Sequence, residues 1–400
     1  MQKVAIIGCG ASGLMILANL VRDAEYGGLE ISVYHHGTPL ACGIAYSTQI
    51  DGHLLNVVAC KMGAWSRNEN DFYEWLQKHY PGKYHESAFV PRRIFGEYLK
   101  AILEKTKDIA EIKKIKLTFV NKEITEIPAG FNHICLALGN KFKNIDLPER
   151  RFDIRSAKHI VIVGTGLSMI DEAILLDEQN YRGKISLVSP TSKLPYPHSI
   201  STKVKVINTA KPGDELSTVL RKYQEMVEQY RDWRSVVDSF RIHCNQIWLK
   251  WSLADKQEFL DKYSSEWDIL RHRIAEEIDQ QIHAFFGKIQ FERISSRFES
   301  VTTTANGYKI ILSDWQVIEC DWIINCMGLN LDARAHLVYA DLIRRGVLQV
   351  SEVGTGVIPT QKDNLHIIGS ALIGYLIESV AISDLRHQAA AIVKKILSCC

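Results

Sequence analysis

The chain has 400 residues, 46% of them hydrophobic, and its 48 basic and 46 acidic residues leave a formal net charge of +2. This length favours two or three domains, and the balanced charge argues against a nucleic-acid partner. No apolar stretch of about 18 residues and no leader pattern stands out, so a cytoplasmic protein without a membrane partner is expected. The nine cysteines have no CxxC or zinc-like spacing, which predicts reduced thiols and no metal site.

The first predicted element is a strand that runs into a glycine-rich turn and then a helix, over residues 4–13 (VAIIGCGASG). In this pattern Gly8 permits the sharp turn, Gly10 lets a pyrophosphate approach the backbone, and Gly13 allows close packing of helix and strand. The N–H groups and the dipole at the start of a helix favour negative charge. The strand and helix on either side favour a dinucleotide site over a purely structural turn.

After residue 40 a long segment follows without regular alternation, and it ends in a helix that begins after Pro91. Apolar residues recur at helical spacing from residue 94 to residue 103. Arg92 and Arg93 lie in the first turn, where positive charge opposes the helix dipole. This indicates an anion partner, although a solvated helix start has the same pattern.

Strands are predicted over residues 116–120 and 131–138, and the second ends at Gly139. A similar buried strand over residues 321–327 ends at Gly328. In flavoproteins with two dinucleotide sites, the chain crosses between the FAD and nicotinamide domains at such places. Residue 159 accordingly begins a second strand–turn–helix unit.

The second unit carries Gly164 and Gly166, but Met169 replaces the third glycine. Its ribose-binding position falls in residues 187–193, which contain no carboxylate to repel a 2′-phosphate. Lys193 is suited to bind that phosphate, so NADP is favoured over NAD. A plain surface loop would have the same composition.

Residues 210–290 form a charged, amphipathic stretch that is too long for a simple loop. We interpret it as a mostly helical insertion whose tryptophans belong to the core. Arg241, Arg271, His272 and Arg273 are candidates for holding a substrate carboxylate. They are equally suited to pairing with acids of their own helices, such as Asp268. If residues 271–273 lie on one helix, their side chains point about 100° apart, so at least one should face the domain interface and require a carboxylate.

Residues 297–320 predict a hairpin with a type I′ turn at Asn306-Gly307. The chain then returns to the first domain, where Gly369 and a helix over about residues 377–397 would close the FAD site. The predicted fold class is α/β, with two Rossmann-like domains for FAD and NAD(P) and the helical insertion. The FAD domain is expected at 1–155 and 300–400, and the NAD(P) domain at 156–299.

Several of these segments together resemble the bacterial YdhS-like FAD/NAD(P)-binding proteins, which are distantly similar to flavin-dependent N-hydroxylating (class B) monooxygenases. The resemblance spans nearly the whole chain. It rests on residues 8–13 (GCGASG), 43–47 (GIAYS), 53–57 (HLLNV), 89–93 (FVPRR), 164–171 (GTGLSMID), 232–234 (DWR), 267–273 and 325–328.

The resemblance implies two cofactors, FAD and NADP, together with the residues that hold them. FAD is expected on Gly8, Gly10, Ala11, Ser12 and Gly13, with Arg92 or Arg93 near its phosphates, Asn56 near its isoalloxazine ring, and Gly139 and Gly369 at the same site. NADPH is expected on Gly164, Gly166, Leu167 and Ser168. Lys193, from the composition of its loop, and Gly328 are further candidate cofactor-binding residues.

Two positions depart from the family pattern. Where such proteins usually carry an acidic residue for the adenosine ribose, this chain has His35, whose imidazole can also hydrogen-bond a hydroxyl. Met327 replaces a hydroxyl-bearing residue expected near the flavin.

The leading hypothesis is an FAD-dependent, NADPH-using monooxygenase that oxygenates a nitrogen or sulfur of a small, carboxylate-bearing substrate. The flavin carries the redox chemistry, and the candidate catalytic residues are Asn56, Arg271, His272 and Arg273. One alternative, motivated by His35 and Met327, is a degenerate dinucleotide-binding protein that acts as a sensor or interaction module. Another is a flavin peroxide reductase that uses Cys42 alone, although no adjoining basic residue lowers the pKa of that thiol. The oligomeric state is left open.

Overall fold

The structure is a computed structural model that describes residues 2–145, 154–199, 204–359 and 364–398. The chain separates into two compact units. The first unit comprises Met1–Lys141, His243–Leu253 and Asn330–Cys400, and the second comprises Phe142–Ile242 and Ala254–Leu329. Both contain a parallel sheet, which confirms the predicted α/β class with Rossmann-like folds.

The first unit begins with alternating strands and helices: β1 (Gln2–Ile7), α1 (Ala11–Asp23), β2 (Leu29–His35), α2 (Asp71–His79), α3 (Arg92–Ile112), β3 (Lys116–Asn121) and β4 (His133–Leu136). The helix α1 is buried along almost its whole length, because its apolar sequence covers the sheet. The helix α3 begins at Arg92, as the Pro91 position predicts.

The chain continues with β5 (His159–Val163), α4 (Leu167–Glu178), β6 (Lys184–Ser189), α5 (Leu216–Tyr230), α6 (Trp233–Arg241), α7 (Cys244–Trp248), α8 (Leu253–Lys262), α9 (Ser264–Arg271) and α10 (Glu276–Phe286). The six helices from α5 to α10 lie between β6 and β7, which confirms the helical character of the insertion.

The remaining elements are β7 (Phe291–Ser295), β8 (Phe298–Thr303), β9 (Tyr308–Leu312), β10 (Val317–Cys320), β11 (Trp322–Asn325), α11 (Leu337–Arg344), β12 (Gln349–Val350), β13 (Val357–Ile358), β14 (Leu365–Ile367) and α12 (Ile382–Ser398). Short 3₁₀ helices occur at Ala59–Lys61, Ile154–Ser156, Ala333–Ala335 and Gly369–Leu372.

The sheet of the first unit has the strand order β14-β4-β1-β2-β3, and all of its pairings are parallel. Its two faces are covered by different helices. The core on one face includes α1, α3 and α12, and the core on the other includes α11. Because the order reverses beside β1, the turn that follows β1 lies at the position where α/β sheets bind ligands.

The second unit has a parallel sheet of order β11-β5-β6-β7 and an antiparallel sheet of order β10-β9-β8. The two sheets share a core in which Val161 and Val188 lie with Ile310 and Leu312. This packing places residues 300–329 in the second unit, whereas the sequence assigned them to the FAD domain.

Two local predictions are corrected by the structure. The hairpin of β8 and β9 is present, but the φ of Gly307 is not positive, so the turn is not type I′. Glycine is required there because an added Cβ would overlap the Cys320 carbonyl oxygen. The last helix begins at Ile382 rather than near residue 377.

No helix within the described ranges is long and apolar enough to cross a membrane. The same ranges contain no group of three or more His, Cys, Asp or Glu side chains that could hold a metal ion. Cys399 and Cys400, which the sequence places in a tail, lie outside the described residues.

Candidate functional site

The turn after β1 is held by backbone contacts with both neighbouring strands. The Gly8 N–H donates to the Tyr34 carbonyl at 2.8 Å, and the Ala137 N–H donates to the Ile7 carbonyl at 2.8 Å. Gly8 has φ +98°, and an added Cβ would overlap the Ala137 carbonyl oxygen. Glycine is therefore required at this position by the protein itself.

Gly10 and Gly13 differ in what surrounds them. An added Cβ at Gly13 would overlap the Gly8 carbonyl oxygen, since α1 packs closely on the turn. At Gly10 the nearest atom to an added Cβ is the Gly43 Cα, at an ordinary 3.5 Å. No protein atom explains glycine at position 10, so the space in front of it fits the approach of a ligand phosphate.

Gly10 is also the N-cap residue of α1. Ala11, Ser12 and Gly13 form the first turn, whose N–H groups have no partner within the helix. Since the first turn of α1 contains no acidic residue, these groups and the helix dipole favour an anion.

The second unit repeats this arrangement after β5. The Gly164 N–H donates to the Val188 carbonyl at 2.8 Å, Gly164 has φ +107°, and an added Cβ would overlap the Cys326 carbonyl oxygen. Gly166 caps α4 with φ −80° and ψ −164°, against −79° and −165° at Gly10.

An added Cβ at Gly166 meets no atom within 4 Å. Leu167 and Ser168 begin the helix, as the sequence predicts. Met169 is fully buried, so the absence of a third glycine is accommodated by core packing. The second turn thus offers the same kind of open space as the first.

His35 lies at the carboxyl end of β2, directly after the residue that accepts from Gly8. Its carbonyl accepts from the Lys122 N–H at 3.0 Å. The backbone at His35 is therefore fixed by β2 and the end of β3, and its side chain is half-buried. This is the predicted ribose position.

The two arginines at the start of α3 have different surroundings. Arg93 pairs with Asp51 and also with Glu97, at 3.3 Å. The Arg92 N–H donates to the His53 carbonyl at 2.8 Å. Burial raises the pKa of Tyr46 to about 12, and the positive charge of Arg92 acts in the opposite direction by lowering this pKa. Arg93 would have to exchange its carboxylate partners for a phosphate.

Asn56 lies half-buried in the same long segment. Its neighbour Leu55 is fixed by a backbone hydrogen bond from its N–H to the Val90 carbonyl at 2.9 Å. Asn56 and Arg92 are therefore held by one piece of backbone pairing, in which Leu54 also bridges to Pro91.

Gly139 and Gly369 follow β4 and β14, which are neighbouring strands, and both have positive φ. The Ser370 hydroxyl donates to the Gly139 carbonyl at 2.9 Å, and the Gly369 N–H donates to the Gln388 side chain at 2.9 Å. The structure therefore brings these two predicted residues to the same carboxyl edge of the sheet.

In the second unit Gly328 has φ +81° and open space at its Cα. The loop after β6 is held by Ser189, whose hydroxyl contacts the Thr165 hydroxyl at 3.0 Å and accepts from the Ser192 N–H at 3.0 Å. Lys193 in this loop pairs with Glu266 at 3.6 Å. The loop itself contains no carboxylate, but α9 supplies Glu266. The spacing of residues in the sequence does not predict this contact, because Glu266 is far from Lys193 along the chain.

The expectation that residues 271–273 share a helix is wrong, because α9 ends at Arg271. The Ile274 N–H donates to the Tyr196 carbonyl at 3.0 Å, which pulls the chain into an extended path. Arg271 pairs with Asp268 at 2.8 Å, and Arg273 is buried and pairs with Asp238. Arg271 thus has a partner from its own helix, as the second interpretation of this cluster predicted, whereas the carboxylate partner of Arg273 comes from α6.

His272 lies between these arginines. Burial, together with the positive charges of Arg271 and Arg241, holds the pKa of its imidazole well below the usual value. A neutral imidazole can accept or donate a hydrogen bond, but it does not bind a carboxylate as a cation.

Cys42 is buried, and its thiol donates to the Gly96 carbonyl at 3.5 Å. Burial raises the pKa of this thiol, which disfavours the thiolate that peroxide chemistry requires. The described cysteines are all free.

Comparison with known proteins gives one family match, and none of the curated proteins matches the chain. Residues 5–144 match a family described as FAD-NAD(P)-binding. The matched residues run from within β1 to β4 and include the first glycine turn.

Solved structures match over almost the whole chain. An ornithine N-hydroxylase from Kutzneria sp. 744, with reduced FAD, NADP+ and L-ornithine, has a TM-score of 0.65 at 12% identity, covering 99% of each chain. The reduced ornithine hydroxylase of Pseudomonas aeruginosa has a TM-score of 0.61 at 13% identity, covering 100% of this chain and 99% of the other.

A bacillithiol disulfide reductase from Staphylococcus aureus has a TM-score of 0.54 at 11% identity, covering 100% of this chain and 99% of the other. At these identities the comparisons show a shared fold, and one fold can support several chemistries.

Proposed function

We propose that this protein is an FAD-dependent, NADPH-using monooxygenase that oxygenates a nitrogen of a small amine. The observation that carries the proposal is the pair of equivalent glycine turns, in each of which an added Cβ at the second glycine would overlap no protein atom. The whole-chain likeness to two ornithine hydroxylases, one of them with FAD and NADP+, favours this chemistry.

In this proposal the first unit binds FAD. The space at Gly10 admits the pyrophosphate, and the N–H groups of Ala11, Ser12 and Gly13 donate to it. Arg92 adds a positive charge, His35 contacts the adenosine ribose, and Asn56 lies by the flavin ring. Bound flavin would supply hydride acceptance and oxygen activation.

The second unit would bind NADPH at the Gly166 turn. Leu167 and Ser168 supply N–H groups to the pyrophosphate, and Lys193 is the candidate for the 2′-phosphate. The Lys193–Glu266 pair is exposed, with 49% and 62% of the two side chains accessible. Such pairs contribute about 0–1 kcal/mol, so a phosphate dianion is able to displace the carboxylate.

The structure changes the argument about the substrate. A substrate carboxylate would have to compete with Asp268 for Arg271 and with Asp238 for Arg273, and Arg273 is buried. We therefore base the substrate proposal on the amine nitrogen and not on these arginines. Removing the partner of a buried charge is costly, which favours a structural role for Arg273.

Visible spectroscopy and product analysis test the proposal. Purified protein should be yellow, should lose its visible absorption with NADPH under anaerobic conditions, and should recover it in air. A panel of L-ornithine, L-lysine and short diamines should contain a compound that accelerates NADPH oxidation and gains one oxygen atom, detected by mass spectrometry.

The competing functions give different results in the same experiment. Colourless protein that takes up no added FAD would contradict the proposal and favour the sensor or interaction module. Peroxide reduction that is lost in Cys42→Ser would favour the thiol mechanism.

A further inference from the structure

The short helix α7 belongs to the first unit, although the chain on both sides of it belongs to the second. Trp248 is 1% exposed, and its indole N–H donates to the Gly374 carbonyl at 3.1 Å. The ring also lies against Trp251, with 5.9 Å between ring centroids. Burial of a tryptophan with its N–H satisfied is a strong anchor, so α7 is fixed to the turn at Gly374.

Asn245, on the same helix, binds that turn with both ends of its carboxamide. Its Oδ1 accepts from the Ile377 N–H at 3.1 Å and from the Glu378 N–H at 2.9 Å. Its Nδ2 donates to the Glu378 carbonyl at 2.7 Å. One side chain therefore satisfies three backbone groups about 132 residues away.

These backbone groups have no regular structure to satisfy them. Residues 373–381 lie between the 3₁₀ helix Gly369–Leu372 and α12, and Glu378 is 3% exposed. A buried backbone group without a partner costs about 1–3 kcal/mol. In a helix that began at residue 377, the Glu378 carbonyl would accept from the residue 382 N–H. Asn245 Nδ2 takes this carbonyl instead, which accounts for the late start of α12.

The turn held by Asn245 is connected to the cofactor edge of the first sheet. The Ser379 carbonyl accepts from Gln388 Nε2 at 3.1 Å, and Gln388 Oε1 accepts from the Gly369 N–H at 2.9 Å. The Ser370 hydroxyl then reaches the Gly139 carbonyl. Gln388 therefore links the turn to both predicted glycines that follow β4 and β14.

We propose that Asn245 is a positioning residue for the FAD site of the first unit. It fixes the turn at residues 374–379 and, through Gln388, the backbone at Gly369, so the shape of the FAD site depends on a side chain from the helical insertion. The proposal rests on the proposed binding of FAD by the first unit.

The test compares Asn245→Ala and Asn245→Asp with a matched control, Asn208→Ala. Asn208 lies in the same stretch of sequence but in the second unit. It also makes two side-chain contacts with backbone, accepting from the Ala210 N–H at 2.8 Å and donating to the Ser239 carbonyl at 3.1 Å. The control therefore loses comparable bonds away from the first unit.

The measurements are FAD affinity of the apoprotein by flavin fluorescence, the shape of the bound-flavin absorption band, and amide hydrogen exchange. Asn245→Ala should weaken FAD binding at least about tenfold, broaden the band, and speed exchange at Ile377, Glu378 and Gly369. Asn245→Asp keeps the acceptor and loses the donor, so its effect should be intermediate. Asn208→Ala should leave all three measurements unchanged.

The outcomes separate this inference from the proposed function. Wild-type protein that binds no FAD would overturn both. Wild-type protein that binds FAD, with both Asn245 variants folded and within twofold of its affinity, would overturn this inference alone. An equal loss of affinity in Asn208→Ala would also overturn it, because the effect would then be general destabilisation. If Asn245→Ala does not fold, Asn245→Asp and the exchange rates decide.

Discussion

The glycine turns of the two units agree at their first two glycines and differ at the third position. Gly8 and Gly164 are both confined by the backbone of a neighbouring strand end. An added Cβ would make only ordinary contact with Gly43 at Gly10 and would meet nothing within 4 Å at Gly166. At the third position Gly13 has no room for a Cβ, whereas Met169 is fully buried as a core side chain.

The comparison separates two reasons for glycine that the motif combines. The first glycine is required by the strand–turn geometry, and the third is required only where the helix packs closely on the turn. The second glycine alone is unexplained by protein contacts in both units. Met169 is therefore no argument against a nucleotide at the second turn. The evidence for a nucleotide at each turn comes from Gly10 and Gly166.

The largest expected effect is on stability, from Gly8→Ala and Gly164→Ala. Each substitution combines left-handed φ with overlap of a carbonyl oxygen, so each should lower the free energy of unfolding by more than about 3 kcal/mol. The matched controls are Gly27→Ala, with φ +70°, and Gly213→Ala, with φ +101°, where an added Cβ meets nothing within 4 Å. The free energies of unfolding are measured with a denaturant. If the variants and the controls lose equal amounts, the contact with the neighbouring strand end does not explain the need for glycine.

The second pair, Gly10→Ala and Gly166→Ala, should separate stability from binding. Neither Cβ meets a close protein atom, so each should cost at most about 1 kcal/mol as a poorer N-cap. Gly10→Ala should yield folded, colourless protein. Gly166→Ala should retain FAD but lose rapid reduction by NADPH in anaerobic stopped-flow experiments. A full flavin complement in Gly10→Ala would refute the assignment of the first turn.

A smaller effect concerns pH, because the helical insertion of the second unit contains His272. Burial and neighbouring cations hold the pKa of His272 well below the usual value, so the folded state keeps it neutral while the unfolded chain takes up a proton below about pH 6.5. Stability should fall as pH drops below that value, and His272→Gln should make the fall shallower. Unfolding free energies measured between pH 7.5 and 5, with the exposed His85 changed to Gln as control, check this; identical slopes in wild type and His272→Gln would contradict it.

The smallest effect is on coenzyme choice at the second turn. Bound flavin should be reduced faster by NADPH than by NADH. Because Glu266 competes for Lys193, Glu266→Gln should increase the preference for NADPH over NADH a few fold. This size matches the energy of an exposed ion pair, which is at most about 1 kcal/mol. Lys193→Glu should narrow or reverse it. Faster reduction by NADH in the wild type would refute the assignment of Lys193.

The parts of the fold that follow from local patterns could be predicted. The strand–turn–helix units at residues 4–23 and 159–178 have both the apolar runs and the glycine spacing, and the start of α3 has Pro91. The unit boundaries could not be predicted, because α7 joins the first unit through Trp248 and a carbonyl 126 residues away. The start of α12 depends on Asn245 in the same way.

The candidate site shows the same limit. The glycines of both turns lie where their spacing predicts, but the partners of the charged residues come from distant sequence. Asp238 and Glu266 reach Arg273 and Lys193 from other helices, and pairing at helical spacing identifies only the Asp268 partner of Arg271. A basic residue in the sequence indicates that an anion lies nearby, but only the fold shows whether that anion is a carboxylate of the chain.

The strand order of the first sheet has a consequence for how the protein folds. β4 pairs with β1 on one side and with β14 on the other, and Ile134 lies opposite Leu365. During synthesis the ribosome delivers β14 only after the whole second unit has emerged. Until then β4 is an edge strand with unpaired backbone groups, the kind of surface on which chains aggregate. The sheet of the first unit therefore stays incomplete from the synthesis of β4 until β14 has been synthesised.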